Sequence, residues 1–223
     1  MWKTRGRAMT ENIEVFTQNS IRIRTRGLVV YCDPFQMKEE PKDADLILVT
    51  HDHYDHFSPE DLKKAACGKT ILVVPEKMKG KAEKEAGFIR EIQTVKPGES
   101  RSVLGLELDT VPAYNIIKPF HPKSAGWVGY VLHTEEGRIY IAGDTDATKE
   151  AGGVKCDIAL IPIGGTYTMD ARKAADLINE IKPATVIPVH YGSIVGSTRD
   201  AEVFSSLVKE PVQVEIRIGQ QRG

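Results

Sequence analysis

The stretch from His51 to His56 reads HDHYDH and is the most informative part of the sequence. It places three imidazoles and two carboxylates within six residues, directly after the apolar run 46–50. A continuous apolar run of this length is typical of a buried strand, and in α/β proteins ligands collect at the carboxyl ends of strands. The stretch therefore predicts a ligand-bearing loop at the end of a buried strand.

The side chains of this loop are those that bind metals. Imidazole nitrogens and carboxylate oxygens hold catalytic zinc, which keeps one position open to water. His51 and His53 are two residues apart and could face one ion, whereas Asp55 and His56 follow the turn and could face a second. The alternatives are a His-rich surface loop or a helix N-cap at Asp55 or Ser58. Capping accounts for Ser58 but not for three histidines, so we expect a metal site.

Two later segments offer further ligands. Asp144 follows the predicted strand 138–142, where Gly143 permits a tight turn. His190 ends the β-rich run 184–189. Taken alone, a Gly-Asp pair is typical of an ordinary turn, and a lone histidine at a strand end is more often structural than a ligand. The combination, in this order along the chain, favours a metal site.

The form His-X-His-X-Asp-His resembles the signature of the metallo-β-lactamase superfamily. In that superfamily an isolated His follows, then an Asp in a Gly-Asp-Thr segment, then a late His closing a strand. Segments 142–146 and 187–192 match the last two, and the similarity covers nearly the whole chain. The resemblance implies a layered α/β fold: a four-layer αββα sandwich of two mixed β-sheets with helices on both outer faces.

The resemblance also implies seven metal ligands. One ion would be held by His51, His53 and His121, and the other by Asp55, His56 and His190, with Asp144 bridging them. Asp55 and His190 are the expected catalytic residues, and Asp55 would orient a metal-generated hydroxide and move its proton. One or two divalent ions are expected, zinc first, with manganese or iron as alternatives. Asp52 either supports the site or is a solvated carboxylate.

The isolated histidine has two candidates. In many superfamily members it ends a Pro-Ala-X-His pattern, but here the stretch 112–114 is followed by Asn115. The next histidine is His121, which lies between Phe120 and Pro122. We expect His121 to reach back into the site; otherwise Asn115 fills the position. A single-metal site is the better interpretation if His121 points away.

Loop residues near the expected ligands are candidates for substrate binding, namely Tyr114, Asn115, Lys118, Lys123, Tyr167 and Tyr191. The two lysines could hold an anionic group such as a phosphate ester, although surface lysines usually bind nothing of the kind. The stretch 164–170 resembles a loop of the small metal-dependent hydrolases and ascorbate-phosphate lactonase-like members of the superfamily. It is equally an ordinary strand-to-helix connection, capped by Thr168 or Asp170.

Length and composition agree with an enzyme domain. The 223 residues, 41% of them hydrophobic, predict one domain over residues 9–223, with residues 1–8 as an extension. A net charge of −1 argues against a nucleic-acid partner and leaves a small-molecule substrate. Cys32, Cys67 and Cys156 form no paired motif, which suits the cytoplasm. No apolar run approaches the ~20 residues of a membrane span, and a homo-oligomer is compatible with the sequence.

Hydrophobic periodicity predicts alternating strands and helices. Strands are expected at 13–16, 20–24, 28–32, 46–50, 70–74, 89–95, 107–111, 128–133, 138–142, 157–162, 184–189 and 212–218. Helices are expected at 59–66, 77–86, 170–181 and 199–208.

Three functions compete. The first is a metal-dependent hydrolase of a small ester, lactone or phosphodiester, which the full ligand set favours. The second is a nuclease of RNA or DNA, against which the near-neutral charge counts. The third is a di-iron redox protein, but that superfamily pattern usually has Glu where this chain has His53 and adds a flavin domain. A non-catalytic binding module would be expected to have lost ligands.

Overall fold

β4 (Ala44–Leu48) carries the histidine-rich stretch at its carboxyl end, and all five of its residues are buried. The computed structural model describes residues 10–218. The expected extension at residues 1–8 lies outside the described residues. β4 pairs with a strand on each side, and a strand covered on both faces reads as a continuous apolar run.

Six strands form the first sheet of residues 10–218, in chain order. Besides β4, they are β1 (Ile13–Val15), β2 (Ile21–Thr25), β3 (Leu28–Cys32), β5 (Ala66–Pro75) and β6 (Glu91–Val95). The first three pair antiparallel, and β3 to β6 run parallel. Cys32 pairs with Leu48, so β3 and β4 end at the same edge.

The second sheet of the described chain has seven strands. They are β7 (Ser100–Val103), β8 (Leu106–Pro112), β9 (Val128–Thr134), β10 (Gly137–Ile141), β11 (Ile158–Pro162), β12 (Thr185–Val189) and β13 (Gln213–Val214). β7 to β10 pair antiparallel, and β10 to β13 run parallel. Both sheets therefore pass from antiparallel to parallel pairing along the chain.

Five α-helices occur among residues 10–218: α1 (Pro59–Ala65), α2 (Lys79–Glu85), α3 (Lys149–Gly152), α4 (Ala171–Ile181) and α5 (Thr198–Leu207). Short 3₁₀ helices cover Glu76–Met78 and Lys123–Ala125. Ser58 caps α1 by accepting from the N–H of Asp61, and Asp170 caps α4 by accepting from the N–H of Lys173. In this part of the chain, no helix is both long and apolar enough to cross a bilayer.

The hydrophobic side chains form three clusters, which correspond to the spaces between four layers. Leu46 and Leu48 of β4 face the cluster between the two sheets, which includes residues of both. Ile47 faces the opposite way, with Leu62 of α1. On the far side of the second sheet, Phe204 and the apolar face of α4 cover the strands. The four-layer αββα sandwich is thus formed because successive strand residues alternate between an inner and an outer core.

The two sheets come very close at the edge where β4 and β10 end. The N–H of Val128 donates to the carbonyl of Thr50 at 3.1 Å. A Cβ atom on Gly143 would lie 3.0 Å from the Cβ of Thr50, and the Gly143 φ is +63°. Glycine suits this position on both counts, because it has no Cβ and adopts positive φ readily. The residue after Gly143 is thereby placed against the histidine loop.

The main differences from the sequence prediction concern four elements. β7 has no predicted counterpart, because a short edge strand with polar residues at 100–102 lacks an apolar pattern. α3, of four residues, is likewise unpredicted. The helix expected over 77–86 begins as the 3₁₀ turn at Glu76–Met78, and the strand expected over 212–218 is only Gln213–Val214. Element ends depend on tertiary pairing, which periodicity does not report.

Replacement of Leu48 by alanine should destabilise the fold strongly. Leu48 is fully buried between the sheets, and Leu→Ala changes in such positions lower the free energy of unfolding by about 2–5 kcal/mol. The measurement is urea denaturation followed by circular dichroism. The matched control is Leu104→Ala, since Leu104 is 48% exposed and should change the free energy by no more than about 0.5 kcal/mol. Equal effects of the two changes would contradict the assigned core.

Candidate metal centre

The turn after β4 folds three histidines together. The carbonyl of His53 accepts from the N–H groups of His56 at 3.0 Å and Phe57 at 2.8 Å, so the chain reverses there. The His56 and His51 ring centroids are then 3.9 Å apart. His51 Nε2 lies 3.1 Å from His53 Nδ1. Local backbone geometry therefore gathers three imidazoles before any distant residue contributes.

His121 joins this cluster from the loop between β8 and β9. One ring nitrogen from each of His51, His53 and His121 lies within 4.8 Å of the others. Trp127 packs against the same three rings, with centroid distances of 5.1, 5.0 and 5.4 Å. The first predicted group is thus brought together, and its third member is His121 rather than Asn115.

A second group forms beside the first. Ligand atoms of Asp55, His56 and His190 lie within 4.8 Å of one another. His190 Nε2 is 3.3 Å from Asp55 Oδ2 and 3.2 Å from His56 Nε2. His190 has a φ of 57°, a left-handed value that is uncommon for a residue with a side chain. Such backbone strain is found at functional sites.

Asp144 lies between the two groups, with one oxygen facing each. Its Oδ2 is 3.2 Å from His121 Nε2 and 3.9 Å from His51 Nε2. Its Oδ1 is 3.3 Å from His56 Nε2 and 3.2 Å from His190 Nε2. The predicted bridging carboxylate therefore contacts both groups, and the seven predicted ligands converge on one buried volume.

Asp33 supports this cluster from behind. It is fully buried, and its Oδ2 accepts from His56 Nδ1 at 2.7 Å and from Thr50 Oγ at 2.6 Å. Thr50 Oγ in turn lies 3.0 Å from His51 Nδ1, whose N–H it can accept. Both Nδ1 atoms are engaged in this way, and the Nε2 atoms of His51 and His56 face Asp144. A carboxylate behind a histidine ligand fixes its tautomer and orientation.

The pKa values of the cluster are shifted by burial and by the close packing of imidazoles and carboxylates. Burial lowers the pKa of His51 and of His53, and neighbouring imidazoles lower both further. Burial by itself would raise the pKa of Asp55 and Asp144, but the adjacent imidazoles outweigh it and hold both pKa values well below the usual carboxyl range. For His56, burial is outweighed by Asp144 and other carboxylates, and the pKa is raised. The ionised carboxylates of Asp55 and Asp144 thus favour a positively charged group between them.

Residues 12–190 match the model of the β-lactamase superfamily domain. The chain belongs to the metallo-β-lactamase superfamily. Among curated relatives, this superfamily member is similar to a UPF0173 metal-dependent hydrolase of Methanopyrus kandleri, with 31% identity over 207 residues, which cover 86% of this chain and 88% of the relative. A UPF0173 metal-dependent hydrolase of Aeropyrum pernix is 35% identical over 201 residues, covering 80% and 79%.

A solved structure agrees. The chain is similar to a candidate metal-dependent hydrolase of Parabacteroides distasonis, with a TM-score of 0.78, 27% identity and 93% of each chain covered. The predicted superfamily, its layered fold and the enzyme class of metal-dependent hydrolase are therefore confirmed.

The residues present fit a bound metal ion, in agreement with the metal-dependent relatives. His121 Nε2 and Asp144 Oδ1 are buried and have no hydrogen-bond partner among residues 10–218. Buried polar atoms are rarely left without partners. Four imidazole nitrogens around one carboxylate are a donor set that suits a metal cation.

The loop residues predicted to bind substrate have other partners. Lys118 Nζ lies 2.8 Å from Asp146 Oδ1, and Lys123 Nζ lies 2.7 Å from Glu150 Oε1. The Tyr114 hydroxyl also donates to Glu150, at 2.8 Å. The amino groups of both lysines, which were predicted to hold an anionic substrate, are therefore already neutralised by carboxylates.

Asn115 and Tyr167 lie on the two loops beside the site. Asn115 Oδ1 lies 3.0 Å from His121 Nδ1, and Asn115 Nδ2 donates to the carbonyl of Tyr167 at 2.9 Å. The Tyr167 ring packs against Phe120 with the centroids 4.8 Å apart. Asn115 thus orients a candidate ligand from behind.

The side chains of Tyr191 and Asp52 take no part in the hydrogen bonds of the ligand cluster. Tyr191 is fully buried in the outer core of the second sheet, and its hydroxyl donates to the carbonyl of Ile218 at 3.3 Å. This position corrects the prediction that Tyr191 binds substrate, because its side chain has no exposed surface. Burial raises its pKa to about 12. The Asp52 carboxylate has no ion pair or hydrogen bond within the described chain; its carbonyl accepts from Lys81 Nζ.

Three contributors to the centre were missed by the sequence prediction: Asp33, Gln18 and Trp127. Gln18 Nε2 donates to Asp55 Oδ2 at 3.4 Å, and the Gln18 carbonyl accepts from the N–H of His190 at 2.8 Å. Asp33 could have been found from the sequence, since it directly follows β3, which neighbours β4 in the sheet. Gln18 lies in a turn and Trp127 directly before β9, both without a local pattern, so their roles depend on tertiary contacts.

Asp33→Asn should weaken metal binding without unfolding the protein. The amide cannot accept all the hydrogen bonds that hold His56 and Thr50, so affinity should fall about 10–100-fold, as for other groups behind histidine ligands. Zinc titration against a chromophoric chelator measures this. The control is Asp43→Asn, since Asp43 accepts from Tyr31 away from the cluster and should leave affinity unchanged. Wild-type affinity in Asp33→Asn would rule out the supporting role.

Proposed function

We propose that this metal-dependent hydrolase cleaves a small ester, lactone or phosphodiester. The observation that carries the proposal is the bridging position of Asp144, whose two oxygens lie 3.2 Å from His121 Nε2 and 3.2 Å from His190 Nε2. This arrangement supports two adjacent cations that share one carboxylate. Water is then the nucleophile, and no serine or cysteine is required.

The seven side chains divide naturally between two ions. The first ion would be held by His51, His53 and His121, the second by Asp55, His56 and His190, and Asp144 would contact both. Zinc is the first choice, because borderline cations combine imidazole with carboxylate ligands. Manganese and iron accept the same donors, and availability contributes to the choice.

A divalent cation, when bound, lowers the pKa of coordinated water from ~15.7 toward ~7 and polarises the bond under attack. Asp55 is the residue best placed to orient the attacking oxygen and to carry its proton. Its Oδ2 is 3.3 Å from His190 Nε2 and 3.4 Å from Gln18 Nε2, which fix its direction. Its lowered pKa keeps it ionised, as a proton acceptor must be.

The charges around the centre favour an uncharged substrate over a phosphorylated one. Lys118 and Lys123 already pair with Asp146 and Glu150, so neither amino group is free to hold a phosphate. Esters and lactones are therefore placed ahead of phosphodiesters and sugar phosphates. The net charge of −1 likewise supports a small-molecule substrate rather than a nucleic acid.

We also infer a cytoplasmic location. Cys32, Cys67 and Cys156 are free thiols. Unpaired cysteines suit a reducing compartment.

His51→Ala should abolish hydrolysis. His51 lies in two of the ligand groups, so kcat/KM of the zinc-loaded protein should fall by more than about 100-fold. This loss exceeds the one expected when a group that only supports a ligand is replaced. The measurement is a panel of esters, lactones, phosphodiesters and phosphorylated sugars, with metal content determined for each preparation.

The matched control is His133→Ala. His133 pairs with Asp109 at 2.7 Å on β9, outside the ligand groups, and its loss should leave the rate unchanged. Equal rates for His51→Ala and the wild-type protein would show that the assayed reaction does not belong to this centre. An absence of hydrolysis across the panel, with zinc bound, would contradict the proposed substrate classes.

A further inference from the structure

The loop 115–121, which carries His121, is closed at its base by its own two ends. The N–H of Asn115 donates to the carbonyl of His121 at 2.7 Å, and the N–H of His121 donates to Asn115 Oδ1 at 3.2 Å. Because Asn115 Oδ1 also lies 3.0 Å from His121 Nδ1, the base of the loop determines how the imidazole is directed. Any movement of the loop therefore moves a candidate ligand.

Lys118 anchors the middle of this loop to two other segments. Its amino group donates to Asp146 Oδ1 at 2.8 Å, to the carbonyl of Gly165 at 3.4 Å and to the carbonyl of Thr168. The side chains are largely withdrawn from solvent, with 25% of Lys118 and 11% of Asp146 exposed. An ammonium group with one carboxylate and two carbonyl partners satisfies its three donors.

Asp146 joins the His121 loop to the segment that carries Asp144. Its second oxygen, Oδ2, accepts from the N–H of Ile116 at 2.9 Å, and its own N–H donates to the carbonyl of Tyr114 at 3.0 Å. Asp146 is two residues beyond Asp144. One carboxylate thus ties the loop of one candidate ligand to the segment of another.

We propose that Lys118 is a positioning residue that, through Asp146, fixes His121 for one of the two metal ions. The proposal rests on the metal centre under Proposed function. The second group has different supports, since His56 is held by Asp33, and His190 by the backbone of Gln18. Loss of the Lys118 contacts should therefore weaken binding of the first ion and leave binding of the second unchanged.

The physical reason is the cost of unpaired polar groups. Replacement of Lys118 by methionine keeps the length of the side chain but leaves the carboxylate of Asp146 without its cation and two carbonyls without their donor. Removing one partner of a largely buried pair is costlier than the net strength of the pair. The loop can relieve this cost by moving outward, and it carries His121 with it.

The test is zinc binding by the full-length protein, measured by competition with a chromophoric chelator. In Lys118→Met, one zinc dissociation constant should rise about tenfold, as when a group that supports a histidine ligand is replaced. The other constant should stay within about twofold of the wild-type value. Asp146→Asn should weaken the same ion. Lys123→Met is the matched control, because its partner Glu150 lies outside the ligand groups, and both constants should remain at wild-type values.

The affected ion is identified by combining Lys118→Met with ligand variants. In a His121→Ala background, Lys118→Met should add less than about twofold, because the ligand it positions is already gone. In a His190→Ala background, the tenfold effect should persist. Thermal melting of the metal-free variants reports any general loss of stability separately.

Three results would overturn the proposal: unchanged constants in Lys118→Met, an equal rise of both constants, or a full tenfold effect in the His121→Ala background. Each would show that Lys118 contributes to the fold alone. A wild-type protein that binds no zinc, manganese or iron would overturn the proposed function as well. Bound metal with an unaffected first ion would overturn the positioning role only.

Discussion

The structure depends on a buried carboxylate that imidazoles surround. Asp144 is 4% exposed and lies within 4 Å of ring nitrogens of His51, His56, His121 and His190. Burying a charge is costly unless it is paired, and no lysine or arginine pairs with Asp144 within the described residues. Divalent cations would satisfy the carboxylate and the imidazoles at once. The fold therefore places at one edge a set of groups that are complementary to metal ions.

The sandwich supplies this edge through close backbone contacts. In the first sheet, β4 leads into the histidine turn. In the second, β10 leads toward Gly143, whose missing Cβ lets it pack against Thr50. The left-handed backbone of His190 and the hydrogen bond from its N–H to Gln18 turn that imidazole inward. The histidine turn, Asp144 and His190 each follow a strand, whereas His121 lies in a loop whose base Asn115 closes. Rigid supports of this kind preorganise a metal site.

Much of this could be predicted from the chain. The long apolar strands and the capped helices at Pro59–Ala65 and Ala171–Ile181 have strong local patterns, and they lie where periodicity indicates. β7 and α3 were missed because short, polar or edge elements have little pattern to detect. The seven candidate ligands came from a motif resemblance. The role of Asp33 and the core position of Tyr191 could not be predicted in this way, because each depends on contacts with residues distant in the chain.

The sequence alone was sufficient to predict the strand before His51, the loop with three histidines at its end, and the types of ligand. These follow from local geometry and side-chain chemistry over six residues. The tertiary structure was needed to show that His121, not Asn115, joins the cluster, and that Lys118 and Lys123 pair with carboxylates rather than remain free. The physical reason is distance: hydrogen bonds and ion pairs act over about 3–4 Å, and only the packing of two sheets brings separated segments that close.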